Sequence, residues 1–200
     1  TIATDIRNIT DPLTEKVLRA ASKSGVKLYR LALLSYRKRP IAEQVNSLRS
    51  EFRDLLALNK ELGLCAAYEN HSGLDSVGAP IWDIYEMLKD FDPRYYGVCF
   101  DVGHATIEGG YTWPTNFRLI EPFLSAVYVK DFVWKKTGTQ WKADWCPLGE
   151  GMVDQNFVRL LKNSSFNGPI VQHHEYPIGN GDAMIKAMRK DLETLKRWLG

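Results

Sequence analysis

Cysteine is scarce in this chain, with three residues in 200. Cys65, Cys99 and Cys146 are odd in number and have no Cys-x-x-Cys spacing, which argues against a disulfide framework and against a cysteine-based zinc site. Cys65 and Cys99 stand within apolar stretches typical of strands, so we expect buried free thiols. Free thiols favour a reducing compartment, and we predict a cytoplasmic protein. A periplasmic location stays open if preceding residues carry a signal.

Long apolar runs and a charge excess are also missing. No stretch approaches the roughly twenty apolar residues of a membrane span, and the N-terminus lacks the basic-then-apolar pattern of a signal peptide. The 26 basic and 24 acidic residues give a net charge of +2 and are interspersed, whereas a nucleic-acid partner normally requires a clustered basic face. We therefore predict no membrane or nucleic-acid partner, and a homo-oligomer stays open.

Helical and strand patterns alternate along the chain. With 44% hydrophobic residues and no shift in composition, residues 1–200 are predicted to form one domain. Helices are expected near 11–25, 40–62, 80–90, 117–121, 155–162 and 182–199, and strands near 26–33, 64–68, 97–100, 126–129 and 169–172, with residues 1–6 as a sixth strand. The strands are apolar throughout rather than alternating, which indicates a parallel α/β sheet covered on both faces. The apolar residues of the last helix recur at core-facing spacing: Ile185, Met188, Leu192, Leu195 and Leu199.

The chain has only four histidines, and all of them stand where predicted strands end. Each has a carboxylate within three positions, in the groups Glu69 with His71, Asp101 with His104, and His173 and His174 with Glu175. Loops that follow parallel strands open on one rim of the sheet, so these groups are expected to converge. Carboxylate and imidazole ligands suit a divalent cation such as Mn, Mg, Co or Zn. Chance placement is the alternative, but three such groups at separate strand ends argue for a metal site.

Four further residues are candidates for substrate binding. Lys130, at a strand end, is equally a substrate ligand or part of a rim salt bridge. Arg30 is an inward charge within an apolar strand, with no partner that the sequence identifies. His71 is either a substrate contact or a hydrogen-bond donor to a ligand. Trp145 lies in residues 132–146, a segment longer than most connections after a strand. Its ring either contacts the substrate or packs as part of an aromatic lid on the domain or on a neighbouring subunit.

Five motifs, in order, carry a family resemblance. They are AYENH (67–71), GVCFDVGH (97–104), VKD (129–131), PLGEG (147–151) and GPI (168–170). Together they resemble the xylose-isomerase-like TIM barrels grouped as sugar phosphate isomerases and epimerases. The segment GVKLYR (25–30) resembles that family's third strand. The resemblance therefore implies a (β/α) TIM-barrel type fold that lacks the first two strands.

The resemblance also implies chemistry at four strand ends. In that family acids and a histidine at the ends of strands four, five, seven and eight hold a divalent ion, which polarises a sugar carbonyl while carboxylates move a proton between adjacent carbons. Glu69 and Asp101 match the ligands on strands four and five, and Glu69 is also the candidate base. His104 matches a substrate-side histidine.

Two positions depart from the family pattern. Tyr128 stands where the strand-seven histidine is expected, so that ligand is predicted to be lost. His173 stands at the strand-eight glutamate, and Glu175 follows two residues later. Because side chains two apart on a strand share a face, either His173 or Glu175 can complete the metal site, and Glu175 is a second catalytic candidate.

The sequence thus predicts a metal-dependent sugar or sugar-phosphate isomerase or epimerase. The first rival is a noncatalytic sugar-binding barrel, favoured by Tyr128 and by the missing strands. The second is an endonuclease-IV-like phosphodiesterase, which needs a multi-zinc cluster with more than four histidines and a basic face. The expected partner is a small sugar.

Overall fold

A six-stranded parallel sheet forms the centre of the computed structural model, which describes residues 1–200. Its strands are β1 (Ile2–Ala3), β2 (Leu28–Arg30), β3 (Cys65–Glu69), β4 (Tyr96–Asp101), β5 (Leu124–Val129) and β8 (Ile170–Gln172), hydrogen-bonded in that order. Two more strands, β6 (Asp131–Thr137) and β7 (Gln140–Cys146), form a separate antiparallel hairpin. The sheet curls into a partial barrel, and this confirms the predicted TIM-barrel type fold with six of eight strands.

Helices connect the strands and cover the convex face of the sheet. They are α1 (Thr14–Lys23), α2 (Ile41–Leu62), α3 (Trp82–Leu88), α4 (Val102–Gly109), α5 (Trp113–Ile120), α6 (Phe157–Asn163) and α7 (Asp182–Leu199). Gly63 ends α2 with φ +61°, a left-handed conformation that glycine adopts without steric cost. The sequence did not predict α4, because its first residue follows β4 directly.

The strand spacing implied by the resemblance needs one correction. It placed Glu69, Asp101, Tyr128 and His173 on strands four, five, seven and eight, which leaves one strand between Asp101 and Tyr128. In the structure β4 pairs directly with β5, with Asp101 opposite Tyr128. The four positions therefore belong to four consecutive neighbouring strands, and β1 rather than β2 takes the place of the third strand.

The two faces of the sheet differ in side-chain size. The convex face carries large buried side chains such as Tyr29, Tyr68 and Phe100, which pack under the helices. Each such side chain contributes about 1.5–3 kcal/mol when fully buried. The concave face also carries Leu28 and Tyr128, but the side chains that precede Glu69 and Asp101 on this face are the small Ala67 and Cys99. Small side chains leave room for charged groups above them at the strand ends.

The apolar stripe of the last helix, α7, was predicted to face the core, but most of it is exposed. Only Leu195 of its apolar stripe is buried, whereas Ile185, Met188 and Leu192 are 44%, 41% and 39% exposed. The helix follows β8, which is an edge of the sheet. Periodicity records which face of a helix is apolar, but beyond β8 there is no further strand for that face to cover.

No helix of the structure is both long and apolar enough to cross a bilayer. The three cysteines are unpaired thiols; Cys99 is buried, whereas Cys65 and Cys146 are half-buried.

Candidate metal centre

Three strands of the sheet, β3, β4 and β8, bring Glu69, Asp101 and His173 to one rim. Glu69 ends β3, Asp101 ends β4, and the backbone N–H of His173 extends the β5–β8 pairing by donating to the carbonyl of Val129 at 2.9 Å. Since these strands run parallel, their last side chains on the concave face meet at the same end of the sheet.

The ligand atoms of these residues lie close together. His173 Nδ1 lies 3.8 Å from Glu69 Oε1 and 3.7 Å from Asp101 Oδ2. Glu69, Asp101 and His104 also present ligand atoms that lie within 4.8 Å of one another. A cation with bonds of about 2.0–2.2 Å holds its ligand atoms about 3–3.5 Å apart, so a small contraction of this cluster accommodates one ion.

Asp101 provides the clearest fit to a cation. Its Oδ1 accepts a hydrogen bond from the backbone N–H of His104 at 2.9 Å and so caps α4. Its Oδ2 is buried without a hydrogen bond, although the ammonium of Lys130 lies 3.1 Å away. Buried carboxylate oxygens normally have a partner, so this atom has the orientation of a metal ligand.

Asn70 holds Asp101 in place through the backbone. Its side-chain amide donates to the carbonyl of Asp101 at 2.9 Å, and its Oδ1 accepts from the N–H of Asp101 at 2.7 Å. Our sequence analysis did not predict this contact. A carboxamide directly after the strand-end Glu69 was the available signal, but its partner on β4 lies 31 residues away.

Burial controls the protonation of the two acids. It raises the pKa of Glu69 to about 7, and the neighbouring Asp101 charge adds to this effect. Burial likewise raises the pKa of Asp101 to about 6, opposed mainly by Lys130. Arg30, which had no predicted partner, lies 3.4 Å from Glu69 Oε2 and favours its ionised form.

Both ring nitrogens of His104 already have hydrogen-bond partners. The Lys130 ammonium donates to Nε2 at 2.7 Å, which leaves Nδ1 as the protonated nitrogen that donates to Ser72 Oγ at 2.7 Å. Burial and the Lys130 charge lower the pKa of His104 to about 2, so the ring is neutral. His173, whose Nδ1 faces both carboxylates, is therefore the better third ligand.

Lys130 is the buried cation of the site. Only 3% exposed, it contacts Asp101, His104 and the Glu175 carboxylate, and its Nζ lies 4.5 Å from the centre of the Trp145 ring. The Glu175 side chain is 38% exposed. When ionised, the three carboxylates carry one more charge than the two cations, Arg30 and Lys130. The net negative charge suits a divalent cation.

Other predicted positions lie around this centre. The centre of the His71 ring lies 4.0 Å from that of His104, with the two rings tilted by 41°, and His71 Nδ1 donates to the carbonyl of Ser72 at 2.8 Å. The ring of Tyr128 lies 4.3 Å from that of His173 on the concave face. His174 points away from the rim, with Nε2 3.5 Å from Asp191 Oδ2 beside α7. Ser72 was not singled out, because an isolated serine carries no sequence signal.

Asp131 fixes the chain that follows Lys130. Its buried carboxylate accepts four backbone hydrogen bonds, from Phe132, Gly149, Gly151 and Val153, at 2.9–3.0 Å. A Cβ at Gly151 would lie 2.3 Å from Asp131 Oδ1, so this approach requires glycine. Gly149 and Gly151 of the PLGEG motif thus bind Asp131, and α6 begins later in the chain, at Phe157.

A family model described as xylose isomerase-like TIM barrel matches residues 13–198. The chain belongs to the xylose isomerase-like TIM barrel family. This confirms the resemblance seen in the motifs. No curated protein matches the chain.

Solved structures share this fold at low sequence identity. A xylose isomerase domain protein from Planctomyces limnophilus is 19% identical with a TM-score of 0.70, and the alignment covers 92% of this chain and 64% of that one. The IOLI protein, solved with a zinc atom, is 15% identical with a TM-score of 0.78 and coverage of 98% and 76%. The 3-keto-D-glucoside 4-epimerase YcjR from E. coli is 15% identical with a TM-score of 0.70 and coverage of 92% and 68%. The chain thus spans about two thirds to three quarters of these proteins.

Proposed function

We propose that this barrel is a metal-dependent sugar isomerase or epimerase that moves a proton between carbons next to a carbonyl. The observation that carries this proposal is the convergence of Glu69, Asp101 and His173, in which His173 Nδ1 faces both carboxylates and the only other group near Asp101 Oδ2 is the Lys130 ammonium. Membership of the family and similarity to an epimerase and to a zinc-binding protein support it. In this proposal the bound cation is one of Mn, Mg, Co and Zn.

The proposed ligands are Glu69, Asp101 and His173. The cation, when bound, would polarise the carbonyl and hydroxyl oxygens of the sugar. Glu69 then removes a proton from the carbon beside the carbonyl, and the raised pKa of about 7 matches a group that both accepts and returns a proton near neutral pH. Lys130, held by Glu175 and His104, donates a hydrogen bond to the sugar oxygen on which charge develops.

The remaining predicted residues shape the sugar site in this proposal. Arg30 and His71 contact sugar hydroxyls, and Trp145 forms the wall behind Lys130. Glu175 acts as the charge partner of Lys130 rather than as a ligand, because its carboxylate binds the ammonium.

A noncatalytic sugar-binding barrel is the second candidate. It is favoured by Tyr128, whose phenol replaces a ligand of the family pattern, and by the engagement of Glu175 with Lys130. The nuclease alternative is disfavoured by the histidines: His104 binds Ser72 and Lys130, and His174 faces Asp191, so too few imidazoles remain for a multi-zinc cluster.

Proton exchange tests the proposal directly. Incubation of the protein in D₂O with Mn²⁺ or Mg²⁺ and a panel of ketoses and ketose phosphates should place deuterium on the carbon beside the carbonyl. Glu69→Gln keeps the shape of the side chain but removes the base, so exchange should fall by roughly a hundredfold or more while the fold is retained. Glu193→Gln, an exposed change on α7, is the matched control.

The metal content of the purified protein separates the candidates. About one equivalent supports the isomerase, two or three equivalents the nuclease, and none the binding barrel. Bound metal without exchange on any sugar of the panel would instead favour the binding barrel.

A further inference from the structure

Three arginines stand in the loops that follow the first two strands of the sheet. Arg7 follows β1, and Arg37 and Arg39 lie between β2 and α2. Because β1 pairs directly with β2, the two loops are neighbours. Loops that follow parallel strands open on one rim, so these arginines lie on the rim that also carries Glu69 and Asp101. The proposed metal centre uses β3, β4 and β8, and the proposed reaction leaves the three arginines without a role.

The three arginines line one cavity of about 580 Å³, a volume typical of a site for a small molecule. Glu51 is the one acidic residue in its lining, so the three positive charges exceed the negative charge by two. Asn8 adds a neutral polar group to the same lining. The cavity therefore favours an anionic ligand.

The three guanidinium groups have no partner within the chain. The arginines that pair with a carboxylate are Arg19, Arg30, Arg49 and Arg94. Arg7, Arg37 and Arg39 form no ion pair and donate no side-chain hydrogen bond, and Glu51 pairs with none of them. One unpaired guanidinium is ordinary on a solvated surface. Three around one cavity leave up to five N–H donors each for a ligand.

Gln44 fixes the backbone that carries two of these arginines. Only 6% exposed, it accepts the N–H of Arg37 at 2.8 Å and donates to the carbonyls of Arg37 and Arg39, each at 3.0 Å. On the other side of the loop, the N–H of Tyr36 donates to the carbonyl of Asp75 at 2.7 Å. The backbone is thus held in place while the guanidinium groups stay free. A loop that is ordered before binding loses less entropy when a ligand binds.

A phosphate monoester matches this cavity in charge and in geometry. Near pH 7 it carries a charge of about −1.5 to −2 and three acceptor oxygens, against the excess of two positive charges in the lining. The planar fork of a guanidinium donates two parallel hydrogen bonds to phosphate oxygens. A carboxylate offers two oxygens and one charge, which would leave part of the positive lining without a partner.

We propose that this cavity binds a phosphate monoester through Arg7, Arg37 and Arg39. The phosphate group belongs either to the sugar substrate itself or to a separate phosphorylated ligand. The first source rests on the proposed function, whereas the site as such does not. In both cases the cavity assigns phosphorylated compounds as ligands of this chain.

Titration calorimetry on the metal-free protein tests the site, because no cation is then present to bind phosphate. Glucose 6-phosphate, fructose 6-phosphate and AMP are compared with glucose, fructose and adenosine. At least one phosphorylated compound should bind about tenfold or more tightly than its unphosphorylated partner. Arg37→Gln and Arg39→Gln should each lower that affinity about tenfold, since each removes a charge-assisted hydrogen bond.

The matched control is Arg53→Gln, because Arg53 is an exposed arginine of α2 that does not line the cavity. It should retain the affinity for the phosphorylated compound, and Arg7→Gln, on the other loop, should lower it as the cavity variants do. Equal affinity for compounds with and without phosphate would overturn the site. So would a preference for phosphate that survives the three cavity variants, or one that Arg53→Gln reduces to the same extent.

Proton exchange in the presence of Mn²⁺ separates the two sources of the phosphate. If the phosphate belongs to the substrate, Arg37→Gln should raise KM for ketose phosphates and leave KM for free ketoses unchanged. If it belongs to a separate ligand, Arg37→Gln should weaken that ligand and leave both KM values unchanged. If no sugar exchanges while the arginine-dependent binding persists, the proposed reaction is wrong but the phosphate site stands.

Discussion

Glu69 and Asp101 are two buried acids at the ends of adjacent strands, and each is opposed by a cation. Arg30 lies against the first and Lys130 against the second. Burial nevertheless dominates, because the pKa of each acid is raised. The pair is thus costly to ionise in the absence of a metal, which makes its protonation a measurable property of the site.

The response to a metal should depend on pH. The ordinary pKa values of 4.5 for Glu69 and 3.8 for Asp101 rise to about 7 and about 6 in the folded protein. An acid whose pKa is raised in the folded protein stabilises the fold at low pH, and this stabilisation is lost as the pH rises through the pKa of the folded state. Without metal, the free energy of unfolding should therefore fall as the pH rises from about 4 to about 7.

A cation binds the ionised acids and reverses this loss. The increase in Tm caused by saturating Mn²⁺ should consequently be large at pH 8 and small at pH 5, as measured by circular dichroism across the range. An increase of equal size at both pH values would contradict the assignment of these two acids as ligands.

His173 and Glu175 can be told apart by metal content. His173→Ala should lower the affinity for the cation by more than about tenfold, because its Nδ1 faces both carboxylates. Glu175→Gln should retain the cation but bind the substrate more weakly, since the change removes the ion pair that holds Lys130. Plasma mass spectrometry of the dialysed variants measures the first effect, and KM the second. Loss of metal from Glu175→Gln alone would reverse the two roles.

For single residues, the sequence predicted which side chains lie at the rim but not which side chains they contact. Glu69, Asp101 and His173 could be predicted, because parallel strands bring their ends to one rim. The contact of Arg30 with Glu69 and the engagement of His104 by Lys130 could not, because each joins residues far apart in the chain through side-chain orientation.

Among the elements, the hairpin β6–β7 is the largest part of the fold that the sequence did not predict. Residues 132–146 were expected to be a long loop, or an aromatic lid. The period-two placement of Phe132 and Trp134, then Trp141 and Trp145, around Gly138 was the available signal. The lysines between them made the segment resemble a polar loop.

The anchor of this hairpin is Asp131, and its removal should loosen the whole element. Asp131→Ala leaves four buried N–H groups without their acceptor and should cost about 3–5 kcal/mol of unfolding free energy. Urea titration followed by tryptophan fluorescence measures the loss, and hydrogen exchange should rise at residues 147–153. Asp144→Ala, which removes an exposed ion pair with Lys135, should change stability by less than about 1 kcal/mol. Equal effects of the two changes would exclude the anchoring role.

At the scale of the molecule, the alternation of helices and apolar strands predicted a parallel α/β sheet, and the family resemblance was needed to predict a TIM-barrel type fold. Strand order followed because consecutive parallel strands usually lie side by side. What the pattern could not show is where the sheet ends. β1 and β8 are its two edges, and the apolar stripe of α7 lies exposed beside the second.

Asp101 has one more consequence, which concerns the energetic coupling of the proposed metal centre to α4. One carboxylate faces the proposed cation position through Oδ2 and caps the first turn of α4 through Oδ1, which accepts from the His104 N–H. A cation that draws charge from Asp101 should therefore alter the cap of α4, and a change in the cap should alter the affinity for the cation, since linkage is reciprocal. Hydrogen exchange of the His104 N–H with and without Mn²⁺ measures this coupling, and identical exchange rates would mean that the cation and the helix cap are energetically independent.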